Sequence, residues 1–181
     1  LFLCDQHLSH MNAGKTNTTD NLLLEVCLAA KYEGESIIKN YPDNRDKKEG
    51  ICTALARSFA DIGDIVRGKD LFRGYNEKDQ QEKAKLQQSL KDIFAKIHDN
   101  LTEEAKKKYQ DGDENYFQLR EDWWALNRRD VWKAIICSAP EDAEYFRKTA
   151  CGGGKTASTN KCRCVNTDVP TNFDYVPQYL R

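Results

Sequence analysis

Residues 150–164 read ACGGGKTASTNKCRC, and this stretch has the residue types and spacing most suggestive of chemistry in the chain. Gly-Gly-Gly-Lys-Thr suggests a loop that cradles phosphates, while the three cysteines suggest either zinc or a stapled surface loop. A phosphate loop needs a glycine five residues ahead of its Gly-Lys-Thr, so that successive backbone N–H groups wrap the anion. Thr149 occupies that place before Gly154, Lys155 and Thr156, and the preceding Glu141–Lys148 is charged and helix-like rather than a buried strand. The second Gly-Lys-Thr, Gly14 to Thr16, has Ser9 at the early position and also lacks a strand. Nucleotide chemistry is not supported.

Structural zinc takes four Cys or His ligands, commonly in C-x₂₋₄-C pairs. Cys151, Cys162 and Cys164 match no such pair, and His7, His10 and His98 lie far from them in sequence. His7 and His10 could meet on one helical turn, but two ligands hold zinc poorly. Asp61 with Asp64, and Asn127 with Asp130, could likewise share a turn. Nothing supplies a nucleophile with a base and an orienting group. The expectation is a protein with no catalytic residues, metal or cofactor, not an enzyme.

The elements that carry these residues belong to a chain of 181 residues with 31% charged side chains and a net charge of −1. That length fits one domain or a large piece of one. The balanced charge gives no global field for nucleic acid or membrane, so an electrostatic partner must be met by a local patch. No apolar run approaches the roughly 18 residues of a membrane span, and the opening Leu-Phe-Leu is too short for a signal peptide. The chain therefore reads as a soluble excerpt that makes no membrane contact itself, with any anchor or export signal outside it. Seven cysteines without a C-x-x-C favour disulfides in an oxidising compartment. The odd number leaves at least one free or paired outside the chain, and Cys4 is the candidate.

Helical periodicity runs nearly throughout. Leu23, Val26, Cys27, Ala30 and Ile37 share one face of a helix from about Asp20 to Lys39, which stops near Asn40-Tyr-Pro-Asp43. Ile51, Leu55, Phe59, Ile62 and Val66 mark a second helix, in which Gly63 signals close packing or a bend. Leu86, Leu90, Ile93, Ile97 and Leu101 mark a third. Thr102 with Glu103 and Glu104 reads as the start of a short fourth. Glu114 to Cys137 is a fifth, and the capping box Ser138-Ala-Pro-Glu141 predicts another helix beyond it. The fold class is all-α, a disulfide-crosslinked helical bundle with long loops.

The tryptophans suggest a ligand cage, but Trp124, Val131 and Ile135, like Leu119, Trp123 and Leu126, recur at core spacing. The main basic clusters are Lys106-Lys107-Lys108 and the set Arg128, Arg129 and Lys133. They read either as solvated surface balanced by Glu103, Glu104, Glu121 and Asp122, or as a patch for a sulfated glycan or another acidic ligand. Asn17-Thr18-Thr19 and Asn100-Leu101-Thr102 are formal N-glycosylation acceptors.

Four stretches together carry a resemblance. LLLEVCLAAKYEGESI (22–37), ARSFADIGDIVRGKDLF (56–72), WWALNRRDVWKAIIC (123–137) and DYVPQYLR (174–181) resemble the Duffy-binding-like domains of malaria-parasite adhesins. ADIGDIVRGKDLF and DYVPQYLR resemble the alpha class at the head of the variant erythrocyte membrane protein family. The resemblance covers nearly the whole chain. It implies a partial Duffy-binding-like fold, with 1–18 as the tail end of a first subdomain and 19–181 as the second, middle subdomain. It implies an adhesion module displayed on the infected red cell, as the extracellular part of a membrane-anchored antigen. The partners implied are erythrocyte or endothelial receptors, sulfated glycans or blood-group sugars in rosetting, and antibodies. A structural, antigenically variable role in support of neighbouring domains is the alternative. The resemblance also implies pairing of Cys52 with Cys164 or Cys162, Cys151 with the remaining one, Cys27 with Cys137, and Cys4 with a residue upstream.

Overall fold

The structure, a computed structural model, describes residues 11, 14, 18–41, 48–109, 114–145, 150–151, 155–156 and 158–181. Cys4, His7, His10, Lys15, Thr16, Asn17 and Gly152–Gly154 lie outside them. The helices are α1 (Thr19–Asn40), α2 (Lys48–Arg67), α3 (Glu77–Asp99), α4 (Glu103–Lys108) and α5 (Phe117–Ile135). Single 3₁₀ turns follow at Phe173–Tyr175 and Gln178–Leu180. The starts of α1, α3 and α4 are set by short polar side chains that accept the first free backbone N–H groups. Thr18 accepts from Asn21 at 3.2 Å, Asn76 from Asp79 at 2.9 Å and Thr102 from Ala105 at 3.3 Å.

Three helices form the centre. Glu33 on α1 accepts from Ser58 on α2 at 2.8 Å and Tyr41 meets Gly50, so α2 returns antiparallel to α1. Phe59 packs against Trp124 and Trp132 with ring centroids 5.2 Å apart in both cases. Since Gly63 also meets Trp124, α5 runs antiparallel to α2 and therefore parallel to α1. The stripe predicted for α2, Ile51, Leu55, Phe59, Ile62 and Val66, is buried in full. On α3, Leu86, Leu90, Ile93 and Ile97 are buried, and Phe94 meets Trp123 edge-on at 6.2 Å.

Two glycines set how closely the helices approach. A Cβ at Gly63 would lie 2.7 Å from the Trp124 ring, so the glycine in the α2 stripe is a packing device. A Cβ at Gly34 would collide with the backbone carbonyl of Ile135, which no rotamer change relieves. Gly34→Ala should therefore cost about 1–3 kcal/mol by forcing α1 from α5, despite the better helix propensity of alanine. A chemical-denaturation midpoint compared with the parent chain checks it.

Two sequence expectations fail here. The capping box at Ser138–Glu141 predicts a helix, yet residues 138–145 form turns and irregular backbone. The backbone there is used by a distant segment. Cys162 N donates to the Ala143 carbonyl at 2.9 Å and Tyr145 N to Ser158 Oγ at 2.9 Å, while Glu141 pairs with Lys161 at 3.0 Å. Leu126, placed in the core by its spacing from Leu119 and Trp123, is 82% exposed. α3 meets Tyr116 just ahead of α5 and Arg120 and Trp123 on it, and Leu126 lies a turn beyond that crossing.

Candidate functional site

The two most distinctive motifs, ADIGDIVRGKDLF and DYVPQYLR, meet as an internal clamp. Asp174, 1% exposed, accepts from Trp124 Nε1 at 2.9 Å, and its two oxygens accept from Arg128 Nε at 2.7 Å and Nη2 at 2.8 Å. Arg67, also 1% exposed, pairs with Asp64 at 3.1 Å and donates to the Gly63 carbonyl at 2.9 Å and to the Asp174 carbonyl. Arg181 reaches back to Asp61 at 3.1 Å and to Asp64. Gln178 bridges to Asp70 at 3.0 Å and to the Leu71 N–H at 2.8 Å. Arg67 and Arg128 stack over the Tyr175 ring, 5.4 and 5.1 Å from its centroid. Buried charges need such multiple partners to offset their desolvation. The clamp ties the last ten or so residues to α2 and α5; it does not face solvent as a ligand site.

Asp61 and Asp64, which the sequence allows to share a turn, do so, both as partners of Arg181. Burial pushes the Asp61 carboxyl up to about 6, and Arg181 only partly pulls it back. Burial also raises Asp64, against the pull of Arg181 and Arg67. An acid whose folded pKa lies above its unfolded one stabilises most below the unfolded value, about 3.9, and that contribution is lost as pH rises through the folded value. Asp61→Asn should therefore flatten the stability profile. The parent chain should lose stability relative to the variant between pH of about 4 and about 7, read from urea midpoints across that range.

The basic residues singled out by sequence part company. Arg128 turns inward to Asp174 with its side chain 16% exposed, so it cannot belong to a surface patch. Its neighbour Arg129 pairs with Asp168 at 2.7 Å on the surface, where its side chain is 52% exposed. Lys133 pairs with Asp130 at 2.9 Å on its own helix. On α4, Lys106 pairs with Glu103 at 3.0 Å and Lys108 with Asp122 at 2.5 Å, while Lys107 is exposed with no ionic partner among the described residues. The Lys108 bond is the leading cause of the lowered Asp122 pKa. Such exposed pairs are weak and open to exchange with another anion.

The cysteines also divide. Cys52 is bonded to Cys162 and Cys151 to Cys164. The expected Cys27–Cys137 bridge is absent, and both are free thiols. Gly34 sits level with Ile135 on parallel helices, so Cys27, seven residues back on α1, is about 10 Å from that level. Cys137 lies past it in the other direction, beyond the roughly 7 Å reach of a disulfide. Burial, with Asp130 second, pushes the Cys27 thiol up to about 11, so it stays protonated and unreactive.

Comparison with known proteins gives a match to the Duffy binding domain over residues 1–181. The chain belongs to the Duffy binding domain family. The N-terminal NTS-DBL1-alpha and CIDR-gamma double domain of PfEMP1 from the varO strain of Plasmodium falciparum is 47% identical, with a TM-score of 0.83 over 98% of this chain and 25% of that one. An ICAM-1-binding PfEMP1 DBLbeta domain is 33% identical, with a TM-score of 0.69 over 99% of this chain and 39% of that one. The Duffy receptor gamma form of Plasmodium knowlesi is 28% identical over 114 residues, 62% of this chain and 8% of the receptor. This Duffy binding domain thus spans a minor part of each of those relatives.

Two exposed features of this Duffy binding domain escape a periodicity reading. Leu71, Phe72 and Tyr75 on the α2–α3 connection are exposed, as are Tyr179 and Leu180, and Gln178 joins the two segments. None falls on a helical stripe, so only the folded contact groups them. The second feature is the crosslinked loop that holds Lys155, Lys161 and Arg163. Its signal in the sequence is an absence, since no Asp or Glu occurs from Tyr145 to Thr167.

Proposed function

We propose that this Duffy binding domain is a cell-adhesion module of a parasite variant surface antigen, acting by surface contact and without catalysis. The observation that carries this is the similarity to the NTS-DBL1-alpha and CIDR-gamma double domain, whose 47% identity and TM-score of 0.83 exceed the 33% and 0.69 of the DBLbeta domain. In this reading the domain is of the alpha class. Residues 1–18 end its first subdomain, and 19–181 form its middle one. The intact protein is displayed on the infected erythrocyte, where the partners are erythrocyte or endothelial receptors, including sulfated glycans and blood-group sugars in rosetting, and antibodies. Contact through Lys106, Lys107, Lys108, Arg129 and Lys133 is supported by their places on the outer faces of α4 and α5.

Flow cytometry of the labelled 181-residue chain on red cells and endothelial cells tests this. Saturable binding that falls when these cations are changed to glutamate is the expected result, and binding unchanged by those substitutions removes them from the contact. A second reading, a structural subdomain supporting its neighbours, is favoured by the internal use of the clamp motifs and Arg128. It predicts no binding by this chain alone and binding by the longer protein.

A further inference from the structure

α4 is held unlike the other helices. Leu22, Leu55, Leu90 and Trp124 are among the buried residues of α1, α2, α3 and α5, whereas no residue of Glu103–Lys108 is buried. The bonds inside the segment move with it. Thr102 caps Ala105, Lys106 pairs with Glu103 at 3.0 Å, and the Tyr109 N–H donates to the Lys106 carbonyl at 3.0 Å. Its outward bonds all end on one group. Lys108 Nζ at 2.5 Å and Tyr109 Oη at 3.0 Å both donate to Asp122 Oδ2 on α5, and among the described residues no other hydrogen bond leaves 102–109.

The residue after that acceptor is Trp123. The segment runs from Leu101, at the end of α3, to Asp122 on α5, and its two ends, Leu101 and Tyr109, are half-buried against the core. Phe94 of α3 meets the Trp123 ring edge-on. Trp123 is 3% exposed, yet its indole N–H makes no hydrogen bond among the described residues. The Trp124 and Trp132 indoles donate to Asp174 and to the Cys162 carbonyl. A buried donor without an acceptor costs stability. Water reaching it on opening offsets part of the loss of the two bonds to Asp122, which are partly exposed and weak themselves.

We propose that residues 102–109 form a hinged strap, latched on Asp122, that opens as a unit and uncovers Trp123 while α1, α2 and α5 stay folded. A segment with few buried apolar contacts opens at the low end of local stability, far below the global transition. Lys106–Lys108 travel with the strap rather than with the bundle, so their reach is set by the latch. In the closed form Lys108 is committed to Asp122. The device goes beyond the adhesive reading and does not depend on what those lysines touch.

Hydrogen exchange read by mass spectrometry on the 181-residue chain tests it. Amides 105–109 should be protected roughly ten- to a hundredfold over unstructured chain, and α2 amides 55–66 roughly a thousandfold or more beyond that. Asp122→Ala should remove most of the α4 protection and leave α2 unchanged. Lys108→Met with Tyr109→Phe, which cuts the same bonds from the strap side, should do the same. Gln118→Ala, which deletes the remaining donor to Asp122 without touching the strap, should match the parent. Equal protection of α4 and α2 in the parent would mean that the strap opens only with the whole bundle, and overturns the proposal. So does no protection at 105–109 in the parent, α4 protection unchanged by Asp122→Ala, or loss of α2 protection in both latch variants. Acrylamide quenching of tryptophan fluorescence gives the second readout. Asp122→Ala should be quenched more steeply than the parent, and Trp123→Phe added to it should abolish the difference. Quenching unchanged by the Asp122 substitution overturns the uncovering of Trp123.

Discussion

Asp174→Ala should unfold about 3–5 kcal/mol more easily than the parent chain, the range found when one partner of a buried pair is removed. The carboxylate is the shared acceptor for Arg128 and for the Trp124 indole, and both donors would stay buried without it. The Arg67 bond runs to the Asp174 backbone carbonyl and survives the substitution, so the loss belongs to the side chain. Denaturation in urea reads the effect. Arg129→Ala is the natural comparison, because its exposed pair with Asp168 should be worth no more than about 1 kcal/mol. Equal, small effects for the two variants would mean that the clamp does not hold the C-terminal segment.

The second large effect concerns covalent closure. Cys52 and Cys162 are 110 residues apart, and opening that loop should cost about 4–5 kcal/mol in the chain-entropy account. Cys151 and Cys164 close only 13 residues, for which the same account gives about 3 kcal/mol. Cys52→Ala with Cys162→Ala should therefore lower the denaturation midpoint further than the corresponding change at Cys151 and Cys164. Cys52 and Cys162 are both fully buried, so part of the loss is also packing. Stability equal to the parent in the long-loop variant would show that the bundle does not depend on this crosslink.

Periodic information was legible and long-range information was not. Ile51, Leu55, Phe59, Ile62 and Val66 declare the α2 face because each step of three or four residues is local, and burial follows it. The Trp124–Val131–Ile135 stripe is core for the same reason. The Ser138 capping box has a valid local pattern, but Cys162 and Ser158 take up the backbone partners of that segment. Arg128 stands beside Arg129 in a basic run, and only Asp174, 46 residues away, turns it inward. Leu126 obeys the stripe but lies past the crossing helix. The roles of DIGDIVRG and DYVPQYLR are likewise invisible to periodicity, since their contacts join residues more than 100 positions apart. The motifs that carry the resemblance are the ones the clamp joins, while the exposed cations proposed for ligand contact carry no comparable signature.

Peptide mapping under non-reducing conditions, on protein taken from its natural setting, tests most directly whether an oxidised, crosslinked bundle presents this surface. The account predicts one peptide joining Cys52 to Cys162, another joining Cys151 to Cys164, and alkylation of Cys27 and Cys137 as thiols once the chain is unfolded. Recovery of Cys52, Cys151, Cys162 and Cys164 as reduced thiols, or a peptide joining Cys27 to Cys137, would contradict it.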